Sequence, residues 1–154
     1  MRGAMLGDFP LFLERANTLG DSARFMAVRI VRLGTKRAPG EGTRIGTVRK
    51  PPRGVPKRRF ATDDWYDVWF PNLAPSVPTM KVALSADSEK QWTAFSRKYR
   101  AEMKKPDASR ALDVLAALSR HSDFSVGCYC ENESRCHRSI LRTLLRERGA
   151  TIRR

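Results

Sequence analysis

Apolar residues follow one another along the chain in patterns that predict four short strands. The run at 124–129 is apolar and β-prone throughout, and residues 27–33 place two arginines among valine and isoleucine, so both stretches favour strands with a buried face. A further short strand is expected at 43–48. The aromatic run 65–70 predicts a fourth strand, which ends where Pro71 follows.

Three other stretches have the spacing of helices. Residues 85–103 contain Ser88 and Gln91 at capping-box spacing, followed by an apolar stripe at steps of three or four that is expected in the core: Trp92, Phe95, Tyr99 and Met103. A second helix should follow Pro106, with Asp107 as its cap and an inner face at these positions: Ala111, Leu112, Leu115 and Leu118. The third helix, 134–148, should end at Gly149.

This succession of strands and helices predicts the fold class. We expect a small three-layer α/β domain with a short, mostly parallel sheet of about four strands flanked by helices. A chain of 154 residues with 41% hydrophobic content suits one such domain, at 26–154, preceded by an N-terminal extension at 1–25. Residues 34–59 are rich in Gly, Pro, Lys and Arg, which predicts a basic flexible loop.

The chain has no apolar run near the ~20 residues that a membrane span requires. Its first residues also lack a secretory pattern, because Asp8, Pro10 and Glu14 interrupt them. We therefore expect a cytoplasmic protein without a membrane partner, and the oligomeric state stays open.

The formal net charge of +14 is concentrated in one part of the chain. Residues 24–59 hold twelve Lys or Arg and a single acid, Glu41. This concentration of positive charge favours an anionic partner, either nucleic acid or an anionic small molecule. The alternative is that these side chains form only a solvated surface. Arg58 and Arg59 are candidate contacts. No aromatic residue follows Phe25 in this run until Phe60 and Trp65, which argues against single-strand binding.

All three cysteines and one of the two histidines lie within ten residues: Cys128, Cys130, Cys136 and His137. The cluster falls between the strand at 124–129 and the helix at 134–148. Ligands in open α/β sheets collect at such carboxyl ends of strands. Three closely spaced cysteines make a poor disulfide framework and suit a reducing compartment, where they more often indicate a metal or a reactive thiol.

Three interpretations of the cluster remain open. In the first, Ser134 caps the helix and Cys136 lies in its first turn, where the helix dipole lowers the pKa of a thiol. Cys136 would then be a nucleophile or part of an anion pocket with His137 and Arg138, and Arg135 would add positive charge. No Cys-x5-Arg loop of the phosphatase type begins at Cys128 or Cys130, because Ser134 and Cys136 stand six positions after them.

In the second interpretation the three cysteines and His137 bind zinc, although the C-x-C spacing differs from the usual C-x2-C pairs. In the third they are small buried hydrophobic residues. Asp67 is a separate candidate, because an acid inside the run 65–70 needs a partner. It could orient a catalytic group, bind an arginine or cap a turn.

The cluster also carries a resemblance to a known family. Residues 128–139, CYCENESRCHRS, resemble a signature near the C-terminus of the DUF488 family, in which a strand-end Cys is followed eight residues later by a Cys-His-Arg triplet opening the last helix. The likeness extends to the strand at 28–33, the WFPNLAP segment at 69–75 and the W-x-x-F-x-x-x-Y helix at 92–99.

The resemblance implies a compact cytoplasmic α/β domain, with Cys136, His137 and Arg138 at its expected site. The chain departs from the family in its extension, in its enlarged basic loop and in Cys130, where many relatives have Glu; here Glu131 is shifted by one position.

We therefore expect an anion-binding Cys-His-Arg site. Whether the protein is an enzyme that acts on a nucleotide, nucleic acid or phosphorylated ligand stays open. Further ligand contacts are expected from the neighbouring residues Cys128, Cys130, Glu131, Ser134 and Arg135. The alternatives are a non-enzymatic nucleic-acid-binding module that uses residues 44–59, and a small zinc-binding domain. No cofactor other than zinc is indicated.

Overall fold

A parallel sheet of five strands forms the centre of the molecule. The computed structural model describes residues 25–153, so the predicted extension lies outside the described residues except for Phe25. The strands are β1 (Val28–Arg32), β2 (Thr43–Gly46), β3 (Val68–Trp69), β4 (Phe124–Cys128) and β5 (Ile152–Arg153). They lie in the order β3-β2-β4-β1-β5, with every neighbouring pair parallel.

The predicted small α/β domain with a mostly parallel sheet is confirmed, with five strands instead of about four. The additional strand, β5, has two residues and pairs with the start of β1. Such a short stretch carries no apolar pattern of its own, so only its pairing reveals it.

Four helices accompany the sheet. They are α1 (Val77–Leu84), α2 (Glu89–Met103), α3 (Pro106–Leu118) and α4 (His137–Glu147). The predicted capping box forms between Ser88 and Gln91, so α2 begins at Glu89. In α3 the N-cap is Lys105, and Asp107, the predicted cap, lies in the first turn. None of the described helices is long and apolar enough to cross a membrane.

The start of α4 differs from the prediction. Ser134 does not cap this helix, because it lies in a separate 3-10 turn, Glu133–Arg135, whose cap is Asn132. The Asn132 Oδ1 atom accepts hydrogen bonds from both the amide and the hydroxyl of Ser134, at 2.9 and 2.7 Å. Cys136 is therefore the N-cap of α4, and the helix ends before Gly149 as predicted.

The predicted apolar stripes form most of the core. Phe95, Tyr99 and Met103 of α2 are buried, as are Leu112 and Leu115 of α3. They pack with the buried apolar side chains of α4 and with the sheet: Ile140, Leu141, Leu144, Leu145, Val28, Phe124 and Val126. The predicted stripe is wrong at Leu118, which is 46% exposed at the end of α3.

Part of the predicted basic loop lies inside the sheet. β2 runs between β3 and β4, and the side chain of Arg44 is fully buried there. Its guanidinium donates to both Glu41 carboxylate oxygens, at 2.6 and 2.9 Å, and to the carbonyls of Thr35 and Asp64, at 2.7 and 2.6 Å. Glu41 also accepts from the Ser125 hydroxyl at 2.7 Å.

A hydrogen-bonded ion pair, Arg44 with Glu41, thus lies in the interior beside β2, where apolar side chains are expected. Arg44 has no access to a nucleic acid, which removes it from the basic segment 44–59 suggested by the sequence.

Candidate functional site

A cleft of about 900 Å³ opens where β1, β2 and β4 end. Its floor includes Cys128, Cys130 and His137, at the junction between β4 and α4. One wall comes from α1, and the segment from Arg49 to Arg53 lines another side. All of these strands run in the same direction, so their carboxyl ends meet at one edge of the sheet, where open α/β proteins bind ligands.

The three cysteines lie close together at this junction. Cys128 is the last residue of β4, Cys130 follows two positions later, and Cys136 caps α4. Their sulfurs all lie within 4.8 Å of one another, and those of Cys128 and Cys130 are 3.8 Å apart. All three thiols are free; Cys128 and Cys136 are buried, whereas Cys130 is exposed.

This arrangement could hold a metal ion. Among the described residues, the set of mutually close ligand atoms contains the three sulfurs and leaves out His137, which the sequence had offered as a fourth ligand.

His137 is held in one orientation by the strand beside it. Its Nε2 atom lies 2.9 Å from the Thr47 carbonyl oxygen, which can only accept, so Nε2–H donates this bond. The Nδ1 atom is then left to face the Cys136 sulfur, at 3.8 Å. Both side chains are buried. A neutral imidazole oriented in this way can accept the proton of the Cys136 thiol.

Arg138 brings a buried positive charge to the same place. Only 3% of this residue is exposed, and its Nη2 donates to the Cys130 carbonyl at 2.6 Å. Its buried Nε has no hydrogen-bond partner, and no carboxylate of a described residue pairs with the guanidinium. A buried cation without a carboxylate favours an anion close to it.

The pKa values of the thiols are shifted in opposite directions. Hydrogen bonds from Cys128 and Cys136, together with the positive charge of Arg138, outweigh burial and hold the pKa of Cys130 well below its usual value. The same hydrogen bond raises the pKa of Cys128, which keeps its proton. Cys130 thus combines a lowered pKa with a position in the lining of the cleft.

The predicted nucleophile, Cys136, lies deeper in the protein. Its pKa is lowered by its hydrogen bond to Cys128 and also by that to His137. It does not line the cleft, whereas Cys130 does. Cys130, and not the predicted Cys136, is therefore the accessible cysteine of the cluster.

Two aromatic side chains line the cleft together with Cys128 and Cys130. Trp65 and Tyr129 pack edge to face with their ring centroids 5.7 Å apart. The Tyr129 hydroxyl donates to the Lys50 carbonyl at 3.0 Å, which ties the segment after β2 to the end of β4. Neither residue was among the site residues predicted from the sequence. The position of Tyr129 between two cysteines was the available signal.

The rim of the cleft is positively charged. Arg49 donates to the carbonyls of Ala74 and Pro75, at 2.7 and 3.2 Å. Lys50, Arg53 and Lys81 are exposed and form no ion pair with any residue between 25 and 153. Arg32 also lines the cleft, and it pairs with Glu131 at 3.1 Å.

The other predicted site residues are divided between this rim and more distant positions. Glu131 is exposed and pairs with Arg32, which lines the cleft. The side chain of Ser134 is bound to Asn132. Arg135 points to α2, where it pairs with Glu89 and lies over the Trp92 ring at 5.6 Å.

Asp67 and Arg58 line a second cavity, of about 370 Å³. Asp67 accepts two hydrogen bonds from Arg37, at 2.7 and 2.9 Å, which identifies its partner as an arginine. Its second oxygen also accepts from the Arg44 amide at 2.7 Å. Arg59 is exposed and pairs with Asp63.

Comparison with known proteins gave a match to a family model but none to an individual protein. No curated protein and no solved structure gave a significant match to the chain. A family model described as DUF488-N3a, the active DUF488-N3 subclade, matches residues 28–149, from the first residue of β1 to the glycine that ends α4. Because this match covers most of the chain and includes the whole Cys-His-Arg cluster, the protein belongs to the DUF488 family.

Proposed function

We propose that this protein is an enzyme that binds a nucleotide, or another phosphorylated ligand with a planar ring, and acts on it through the Cys130 thiolate. The observation that carries the proposal is the position of Cys130: an exposed cysteine, with a thiol of lowered pKa, that lines a cleft with cations at its rim. A thiolate is the nucleophilic form of cysteine.

The lining of the cleft supports this class of ligand. Lys50, Arg53 and Lys81 suit the charge of a phosphate. Trp65 and Tyr129 suit a planar ring. A phosphate at the rim and a ring against the aromatic wall would bring the ligand over the sulfurs below.

Arg138 and His137 support a reactive thiol rather than an inert one. A buried guanidinium with no carboxylate partner among the described residues stabilises a thiolate beside it. His137, oriented through Thr47, offers a proton acceptor next to Cys136. The description of the matching subclade as active also favours an enzyme over a binding module. A reducing compartment such as the cytoplasm suits the proposal, because oxidation would remove the thiolate.

Alkylation by iodoacetamide tests the thiolate and the ligand together. In metal-free protein, we expect Cys130 to react at pH 6 nearly as fast as at pH 8, because its lowered pKa leaves it deprotonated at both. An unperturbed thiol slows about 80-fold over this range. A mixture of nucleoside monophosphates should protect Cys130, and the variant Lys50→Ala/Arg53→Ala should lose that protection. Mass spectrometry identifies the modified cysteine.

Two variants test the cause of the lowered pKa. Arg138→Gln removes the nearby charge and Cys128→Ala removes a hydrogen-bond donor, so each should raise by about one unit the pH at which the alkylation rate falls to half its maximum. Arg142→Gln, one turn further along α4, is the control and should react like the wild type. A Cys130 that slows between pH 8 and pH 6 like an ordinary thiol would refute the proposal.

The spacing of the sulfurs favours a second candidate, zinc binding by Cys128, Cys130 and Cys136. Thiolates bound to zinc at about 2.3 Å lie roughly 3.8 Å apart in a tetrahedron, which is the separation of the Cys128 and Cys130 sulfurs. Three protein ligands would leave a fourth position for water or a ligand, as in catalytic zinc sites. The charge of Arg138 would balance the excess negative charge of three thiolates around a divalent ion.

Elemental analysis of protein purified without chelator tests this candidate. We expect about one zinc per chain, lost in Cys130→Ser and in Cys136→Ser but retained in His137→Ala, because His137 is outside the close set of ligand atoms. Bound zinc should also block alkylation of Cys130 until a chelator is added. Protein that takes up no zinc on titration would exclude the metal and leave the thiolate enzyme.

A further inference from the structure

A second cavity adjoins the cleft. It has a volume of about 370 Å³, and Pro51 lines both it and the cleft. The two are also linked through the end of β2, because Val48 lines the cleft while its carbonyl accepts a hydrogen bond from the Trp69 indole at 2.8 Å. An extended ligand that leaves the cleft past Pro51 would therefore meet the second cavity.

The second cavity combines aromatic rings with unpaired cations. Trp69 is 46% exposed, although its Nε1–H bond to Val48 holds the indole in place. Phe60 and Tyr66 pack against each other beside it, with ring centroids 5.1 Å apart. A fixed and accessible indole is the type of surface on which a nucleobase stacks.

The charges here suit a phosphate backbone. Lys57 and Arg58 are exposed and form no ion pair with a residue in the described part of the chain. Asp67, the acid that lines the same cavity, is neutralised by Arg37. A phosphate group would therefore meet two free cations without a free carboxylate opposing it.

We propose that the second cavity is a second nucleotide subsite, so that the substrate is a single-stranded nucleic acid. One nucleotide lies in the cleft over Cys130, its neighbour stacks on Trp69, and Lys57 and Arg58 hold the backbone. This rests on the function proposed above, and it names the substrate class. Aromatic stacking combined with backbone cations is the mode by which proteins bind single strands, whereas the bases of a duplex are stacked on one another.

The position of Trp69 changes the expectation that the protein does not bind single strands, which came from the lack of aromatic residues in the basic run after Phe25. After Phe25 the basic run itself contains no aromatic residue. The indole that lines the second cavity with Lys57 and Arg58 belongs to Trp69, which lies further along the chain in β3. The juxtaposition depends on β3 pairing with β2, and not on local sequence.

Isothermal titration with a nucleoside monophosphate and with a single strand of about ten nucleotides, as DNA and as RNA, tests the proposal. We expect the single strand to bind more tightly than the monophosphate. Trp69→Ala should weaken strand binding at least about fivefold. Lys57→Ala/Arg58→Ala should weaken it too and reduce its salt slope by about 1.4. Neither change should alter monophosphate affinity.

Matched variants separate stacking from folding and from net charge. Trp69→Phe loses the bond to Val48 but keeps a ring, so it should retain most of the strand affinity. Lys90→Ala/Lys98→Ala removes the same charge from exposed positions of α2 that do not line either cavity, and it should bind the strand like the wild type.

Equal affinities for strand and monophosphate, unchanged strand binding by Trp69→Ala, or a duplex bound as tightly as the strand would each overturn the subsite. In those cases monophosphate binding and Cys130 protection would still stand. Failure of every ligand to bind at low salt would instead overturn the function proposed for the cleft.

Discussion

Replacing Glu41 with glutamine is expected to lower the free energy of unfolding by about 3–5 kcal/mol, because it leaves the buried charge of Arg44 uncompensated. Arg44 is fully buried, and two of its hydrogen bonds end on the Glu41 carboxylate. Urea denaturation at pH 7 measures the change. Asp63→Asn is the control, since it breaks the more exposed pair with Arg59 and should cost less than about 1 kcal/mol.

The pH dependence of unfolding gives the same pair an independent test. Burial by itself would raise the pKa of Glu41, but hydrogen bonds from Arg44, Ser125 and the Ala38 amide, and the charge of Arg44, lower it from 4.5 to about 2. A carboxylate of lowered pKa stabilises the folded state above its unfolded pKa, and this stabilisation is lost as the pH falls through the folded pKa.

We therefore expect the wild type to lose on the order of 3 kcal/mol between pH 4.5 and pH 2 through this group. Glu41→Gln should lack that loss, so the two proteins should converge in stability at low pH. A glutamine variant within 1 kcal/mol of the wild type at pH 7 would contradict the buried pair.

Gly42→Ala is the second substitution expected to have a large effect. Gly42 has a φ of 75°, and a Cβ built there would lie 1.9 Å from the Asp123 carbonyl oxygen, so the backbone at the start of β2 or β4 would have to move. Gly54 has nearly the same φ, 73°, but nothing lies within 4 Å of a Cβ at that position.

Gly54→Ala should therefore lower the free energy of unfolding only by the cost of a left-handed backbone conformation for alanine, about 1–2 kcal/mol. Gly42→Ala should cost at least about 2 kcal/mol more than this control, because it adds the collision to the same strain. Denaturant unfolding of the two variants in parallel gives the comparison. Equal losses would show that β2 does not pack against the residue preceding β4 as described.

Both substitutions concern the segment that the sequence presented as a basic loop. The segment places β2 in the sheet, and the residues after β2 form one side of the cleft. Its fold and the proposed function are therefore connected, because the same stretch that buries Arg44 places Lys50 and Arg53 in the lining of the cleft.

Much of the architecture followed from local patterns. The apolar run before Cys128 and the periodic residues of α2 to α4 predicted a strand and three helices, because burial of one face requires that spacing. The short strand at 43–48 was also anticipated. α1 was missed because its ends, Val77 and Leu84, are exposed, and its apolar residues give no clear inner face.

For the site, the sequence by itself determined that three cysteines, His137 and Arg138 would meet between a strand and a helix. Their closeness in the chain and the carboxyl end of β4 were sufficient for that. The sequence did not determine which thiol has a lowered pKa and lines the cleft, since that depends on which thiol donates and where Arg138 is buried.

The tertiary structure alone determined which charged residues are buried and which line the cleft. Arg44 and Lys50 are six positions apart in one basic run, yet the first is buried by partners at Glu41, Thr35 and Asp64 and the second lies on the cleft rim. Trp69 likewise reaches Lys57 and Arg58 only through the pairing of β3 with β2. Composition records how many charges a segment carries, whereas burial depends on hydrogen-bond partners that come from distant parts of the chain.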